Sequence, residues 1–192
     1  MQEEGGAALS SPSDLTPSAP PVARRGAFVT VAVVCALLTL AVDQGTKAWA
    51  LAALTPGRPV ELLGPFLRLS LVRNAGAAFS LGDGRTWLLT AFALGVTVYV
   101  WRLIRRTTSR GWAVALGFIL GGAVGNLVDR LLREPGPGRG HVVDFIDYRV
   151  FVGNVADIAI VGAAVAMVLL ALRSIPLQGN AARPRHEEAK DA

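Results

Sequence analysis

The sequence predicts an all-α membrane bundle of four transmembrane helices, with a small extracytoplasmic β-sheet and a flexible extracytoplasmic loop. Three observations predict it. Residues 26–42, 86–101, 111–128 and 150–172 form windows free of Asp, Glu, Lys and Arg, except for Asp157 in the last. With its flanks, each is long enough to cross a hydrocarbon core of about 30 Å. Charged residues make up only 17% of the 192-residue chain, against about 25% in soluble domains. With Gly counted and Tyr left out, the apolar share is about 62%, against about 45–50% in soluble domains. Four such windows leave little sequence from which to build a soluble surface.

The chain divides into a disordered cytoplasmic tail at 1–25, a four-span domain at 26–175 and a second disordered cytoplasmic tail at 176–192. The first tail is rich in Ser, Pro, Ala and Gly, a composition that buries too little apolar surface to fold. No basic region opens it, so it does not read as a secretory signal, and the first window reads as an uncleaved anchor. Cys35 lies within that window and reads as packing.

Orientation follows from basic residues in short loops. The link between the second and third windows holds Arg102, Arg105, Arg106 and Arg110 and no acid, and Arg24 and Arg25 precede the first window. Both termini are therefore expected in the cytoplasm. Lys47, Arg58 and Arg73 fall on the outer side, in a long translocated segment where the rule is weak. The net charge of +5 is spread over both sides, so nucleic acid is not an expected partner. One cysteine and two histidines argue against a disulfide framework and a zinc site. No metal and no cofactor are expected.

Two segments face out, at about 43–85 and 130–155. In the first, Leu67, Leu69 and Leu71 alternate with Arg68 and Ser70, the period of a half-buried strand. Pro56, Gly57, Pro59, Gly64 and Pro65 punctuate it as turns. A small sheet on the bilayer surface is the expectation. The second opens with Glu134-Pro135-Gly136-Pro137-Gly138, read as a flexible loop.

Acids gather at the outer edge. Asp43 ends the first span, Asp129 the third, Asp144 lies in the following loop and Asp157 starts the fourth. Ionisable groups near hydrocarbon are functional candidates by default. Asp43 and Lys47 are four apart, so on a continuing helix they can pair, and a structural ion pair is the plain reading. In the third span Gly117, Gly121 and Gly125 recur every four residues, a smooth ridge that lets another helix come close. Asn126, Asp129 and Arg130 follow. They read either as a buried polar cluster, with Asp129 satisfied by Arg130, or as direct chemistry. Asp144 has apolar neighbours on both sides, a setting that raises a carboxyl pKa by desolvation, although an exposed loop acid fits equally. Asp157 interrupts an apolar run and is harder to explain as structure. A proton channel or transporter would spread its acids through the bilayer, and a scaffold gives no reason for paired acids.

These motifs together resemble the lipoprotein signal peptidase family, also called signal peptidase II. They are Asp43-Gln44-Gly45-Thr46-Lys47, Asn74-Ala75-Gly76-Ala77-Ala78-Phe79, Gly121-Gly122-Ala123-Val124-Gly125-Asn126-Leu127-Val128-Asp129-Arg130, Val142-Val143-Asp144-Phe145-Ile146 and Asn154-Val155-Ala156-Asp157. They occur in the family's order across residues 27–172. The resemblance implies an aspartic endopeptidase of the bacterial cytoplasmic membrane, with its site near the extracytoplasmic face. Asp144 and Asp157 then match the catalytic aspartates. Asp43, Lys47, Asn74, Asn126, Asp129, Arg130 and Asn154 match positions that bind substrate or support the site. The implied substrates are diacylglyceryl-prolipoproteins, cut just before the lipidated cysteine. Membrane lipid is the other expected partner, the cyclic peptide globomycin the expected inhibitor, and the monomer the expected state. The chain departs from the family pattern twice: Gly153 stands where Phe usually precedes the Asn of the last motif, and the loop between Arg130 and Asp144 is longer than usual.

Overall fold

The structure, a computed structural model, describes residues 21–76 and 86–178. The tail readings at 1–20 and 179–192, and the motif residues Ala77, Ala78 and Phe79, lie outside the described residues. In chain order the elements are α1 (Pro21–Ala53), β1 (Val60–Leu63), β2 (Leu67–Asn74), α2 (Thr86–Ile104), α3 (Arg110–Leu132), β3 (Val142–Asp147), β4 (Val152–Gly153) and α4 (Val155–Leu172). Among the described residues, four helices are long and apolar enough to cross a membrane.

The bundle is built around α3, which packs against α1, α2 and α4. Its glycine ridge explains how closely α1 approaches. A Cβ on Gly117 would stand 2.5 Å from the Ala32 carbonyl oxygen, and one on Gly121 would stand 2.5 Å from that of Ala36. Gly122 does the same for α4, where a Cβ would meet the Ala156 carbonyl at 2.7 Å. The far end of the bundle closes over Ala32, Val100, Ile104, Ala113 and Leu116. Outward faces carry exposed Leu38, Phe92, Val165 and Leu172, which suits lipid rather than water.

Two spans differ from their windows. α1 runs on past Asp43 to Ala53, because the two charges that end the window neutralise each other inside the helix. At about 1.5 Å per residue, the added turns carry it roughly 15 Å beyond Asp43. α4 begins at Val155, not at residue 150, since Asn154 caps it and Val152–Gly153 pair as a strand.

The sheet is antiparallel, in the order β1-β2-β3-β4. The expected strand at Leu67, Leu69 and Leu71 is β2. Asp144, expected in a loop, instead lies in β3, where it is the register partner of Val72. Successive side chains on a strand point to opposite faces. Val143 and Phe145 therefore pack with Leu71 of β2 and with Ala50 and Leu54 at the end of α1, and Asp144 turns to the other side. The Pro/Gly loop is tied back to the bundle: Thr90 Oγ1 donates to the Gly138 carbonyl at 2.7 Å, and Gly140 N–H donates to that of Arg130 at 3.0 Å.

Candidate active site

Two polar clusters meet where the sheet covers the end of the bundle. The first centres on Lys47, whose side chain is fully buried. Its ammonium lies 2.9 Å from Asp43 Oδ2 and 2.8 Å from Asp129 Oδ2, and both of those acids are fully buried too. Its third contact is a hydrogen bond of 3.0 Å to Asn126 Oδ1. Every remaining carboxylate oxygen is also satisfied. Asp129 Oδ1 accepts from Arg133 Nε at 2.7 Å, and its Oδ2 accepts from Val143 N–H at 3.2 Å. Asp43 Oδ1 accepts from Ala156 N–H at 3.0 Å, one of the amides that a helix N-terminus leaves without an intrahelical partner. Gln44 Nε2 adds bonds to Asp43, Asp129 and the Gly125 carbonyl.

Sequence adjacency misleads about Asp129. Its ion pairs are with Lys47 and Arg133, not with Arg130. Neighbours on a helix point about 100° apart, whereas residues four apart share a face. Arg130 turns instead to the second cluster. It lines a cavity there, donates to the Asn126 carbonyl at 3.4 Å, and its Nε has no hydrogen-bond partner. Gln44 and Arg133 were not singled out from the sequence. Gln44 stands beside Asp43 in a quoted motif, and Arg133 is one turn past Asp129, which was the available signal.

The second cluster holds Asp144 and Asp157 through amides. Asn154, the N-cap of α4, is the junction. Its Nδ2 donates to Asp144 Oδ1 at 2.6 Å and to Asn126 Oδ1 at 3.2 Å. Asn126 Nδ2 in turn donates to Asp157 Oδ1 at 3.1 Å. Asn154 Oδ1 accepts from Asp157 N–H at 3.1 Å, and Asp157 Oδ2 accepts from Asn154 N–H at 3.0 Å. This reciprocal capping box fixes Asp157 in the first turn of α4. On the sheet, Asn74 pairs with Val142, and its side chain reaches diagonally to donate to Asp144 Oδ2 at 2.8 Å. Gly76 N–H donates to Asn74 Oδ1 at 2.7 Å, which fixes the side chain from its other end.

All the candidate residues therefore belong to one connected network, with Asn126 joining its two halves. The halves differ in charge balance. Asp144 is 2% exposed, with amide donors on both oxygens and no ion pair among the described residues. Burial pushes its carboxyl up to about 6, outweighing the Asn74 bond, and the Asp157 charge pushes the same way. On the same strand, Asp147 is held below the usual carboxylate range, chiefly by its hydrogen bond from Arg68.

A cavity of about 510 Å³ opens onto Asp144 and Asp157. Its polar end carries Asn74, Asn126, Arg130 and Asn154, and its apolar walls are Phe92 and Val96 of α2 and Ile160 of α4. Phe151 also lines it. The Phe151 ring comes within 3.3 Å of the point where a Gly153 Cβ would lie, so an aromatic ring covers this wall although residue 153 has no side chain.

Four apolar spans topped by a small sheet, with an acid-lined cavity beneath it, define a multi-pass membrane protein with a polar site at one end. Comparison with known proteins narrows that class. The family model for signal peptidase (SPase) II matches residues 35–173. A lipoprotein signal peptidase of Mycobacterium avium is 43% identical, over 94% of this chain and all of the relative. One of Mycobacterium tuberculosis is 50% identical, over 81% of this chain and 76% of the relative. A bacterial membrane enzyme solved by the in meso method at 2.3 Å shares the fold, with a TM-score of 0.67 at 22% identity over 80% of this chain and 94% of that one. The chain belongs to the signal peptidase II family of membrane hydrolases.

Proposed function

We propose that this enzyme removes signal peptides from diacylglyceryl-modified prolipoproteins, cutting just before the lipidated cysteine, with Asp144 and Asp157 activating water. One observation carries the reading: two carboxylates from separate elements share one amide network and one cavity. Two like charges in one site do not both ionise easily, so the pair retains a proton. We place that proton on Asp144, whose carboxyl is raised by burial and by the Asp157 charge. Asp157 takes a proton from water as the water oxygen attacks the scissile carbonyl carbon. Asp144 gives its proton to the carbonyl oxygen. When the tetrahedral intermediate collapses, Asp157 gives its proton to the amine nitrogen, the C–N bond breaks, and Asp144 takes a proton from a hydroxyl of the intermediate, so the product is a carboxylic acid and the pair is restored.

The cavity's composition supports the lipidated substrate. Its apolar walls between α2 and α4 suit acyl chains, and its polar end suits the peptide backbone. Arg102, Arg105, Arg106 and Arg110 at the opposite end of the bundle favour cytoplasmic termini and an extracytoplasmic site. The family's inhibitor globomycin is expected to compete for this cavity, and the enzyme is expected to act as a monomer.

The test is processing of a diacylglyceryl-prolipoprotein by purified protein. Asp144→Asn and Asp157→Asn are each expected to lose about 10³-fold in rate while remaining folded, with a single cooperative melt, since acid–base catalysis of this kind contributes about 10²–10⁴-fold per group. Processing at the wild-type rate in either variant would remove that aspartate from the reaction.

A further inference from the structure

A second cavity, of about 830 Å³, lies in the seam between α3 and α4 and shares no lining residue with the one at the acids. It runs along α4 from Ile158 to Arg173, roughly 22 Å at 1.5 Å per residue. Its lining is apolar apart from two arginines, Arg110 and Arg173, at the end farthest from the acids. Neither arginine makes an ion pair among the described residues, and both are exposed. Arg110 is also the first residue of α3. The N-cap there, Ser109, makes no side-chain capping bond, so the positive end of the helix faces the same spot. Trp112, in the first turn of α3, donates to the Ile175 carbonyl at 2.9 Å. Trp is enriched at membrane–water boundaries, which sets the arginines at headgroup depth and the groove below them in hydrocarbon.

We propose that this groove is a binding site for one anionic phospholipid of the leaflet opposite the acid site. Its phosphate sits against Arg110, Arg173 and the α3 N-terminus, and an acyl chain lies along α4. The charge chooses the occupant. A neutral acyl chain or a second copy of this chain gives no use for two guanidinium groups that make no ion pair among the described residues, at the mouth of an apolar groove. The groove is also longer than the roughly 15 Å depth of one leaflet, so a single chain fits within it. On the cytoplasmic side, basic residues near the surface already favour anionic lipid. This inference does not depend on which residues cut peptides.

The experiment is native mass spectrometry of the purified full-length protein with phosphatidylglycerol or phosphatidylcholine of identical acyl chains. Glycerol 3-phosphate serves as the chain-free headgroup. The expected result is one phosphatidylglycerol retained per chain, with phosphatidylcholine held far more weakly and glycerol 3-phosphate not retained. Arg110→Gln combined with Arg173→Gln should weaken phosphatidylglycerol retention by about 30-fold, if each arginine contributes as a surface basic residue does. Gly162→Phe fills the groove from a position where an added Cβ meets nothing within 4 Å. It should abolish retention of both lipids without lowering the melting temperature. Equal retention of the two lipids, or unchanged retention in both variants, would overturn the site. So would a protein dimer that displaces lipid, since the groove would then be an interface between copies.

Discussion

The two acid clusters use the same residue type for opposite ends, and the difference lies in what faces each carboxylate. Asp43 and Asp129 close on Lys47, with Gln44, Arg133 and backbone amides taking the rest of their oxygens. Asp144 and Asp157 are held by Asn74, Asn126 and Asn154, which orient them without cancelling charge; Arg130 lines the same cavity and acts on them electrostatically, but makes no ion pair with either among the described residues. A buried acid paired with a cation has its charge cancelled in place, whereas an acid held by amides beside another acid does not. Aspartate at the end of a span therefore fits either arrangement, and the proposed chemistry goes to the pair whose partners on the carboxylate oxygens are amides rather than cations.

This contrast is broken most severely at Lys47. Lys47→Met leaves two buried carboxylates facing each other, and losing one partner of a buried ion pair costs about 3–5 kcal/mol. The variant should melt far below wild type in detergent. An unchanged melting temperature would mean that the cluster does not hold α1 to α3.

A smaller effect is expected from pH. Asp144 has a folded pKa of about 6, above its unfolded value, so its contribution favours the folded state below the ordinary carboxylate range. That contribution is lost as pH rises through about 6, and a shift of this size corresponds to about 3 kcal/mol. The stability of wild type relative to Asp144→Asn should therefore fall between about pH 4 and pH 7, as read by melting at each pH. A flat difference would place Asp144 among the compensated acids.

The smallest effect sharpens the comparison at the cavity wall. A Cβ at residue 153 would lie 3.0 Å from Asp157 Oδ2 and 3.3 Å from the Phe151 ring. Gly153→Phe should displace Phe151 and lower processing severalfold with little change in stability. Full activity would show that the wall tolerates either ring.

Much of this was legible in the sequence, and the losses have physical causes. The spans, the β2 alternation and the glycine ridge each follow a period set by backbone geometry. Asp144 read as a loop acid because Val142-Val143-Asp144-Phe145-Ile146 shows no polar alternation. Both faces of that strand are buried, and its partner β2 lies about 70 residues earlier. The end of α1 was hidden because charges close a hydropathy window whether or not they neutralise each other within the helix. The partners of Asp129 are hidden because Arg130 adjoins it in sequence, while Arg133 shares its helix face and Lys47 comes from another span. None of the capping at Asn154 required tertiary knowledge, since Asn followed three residues later by Asp is a helix-start pattern in itself.

The most direct measurement is a carbon-13 NMR titration of the Asp144 carboxyl in the full-length enzyme, with and without Asp157→Asn. A value of about 6 in wild type, falling when the Asp157 charge is removed yet staying above the ordinary range through burial, is the predicted result. An ordinary carboxylate value in wild type, or one indifferent to Asp157, would contradict the coupling of the two acids.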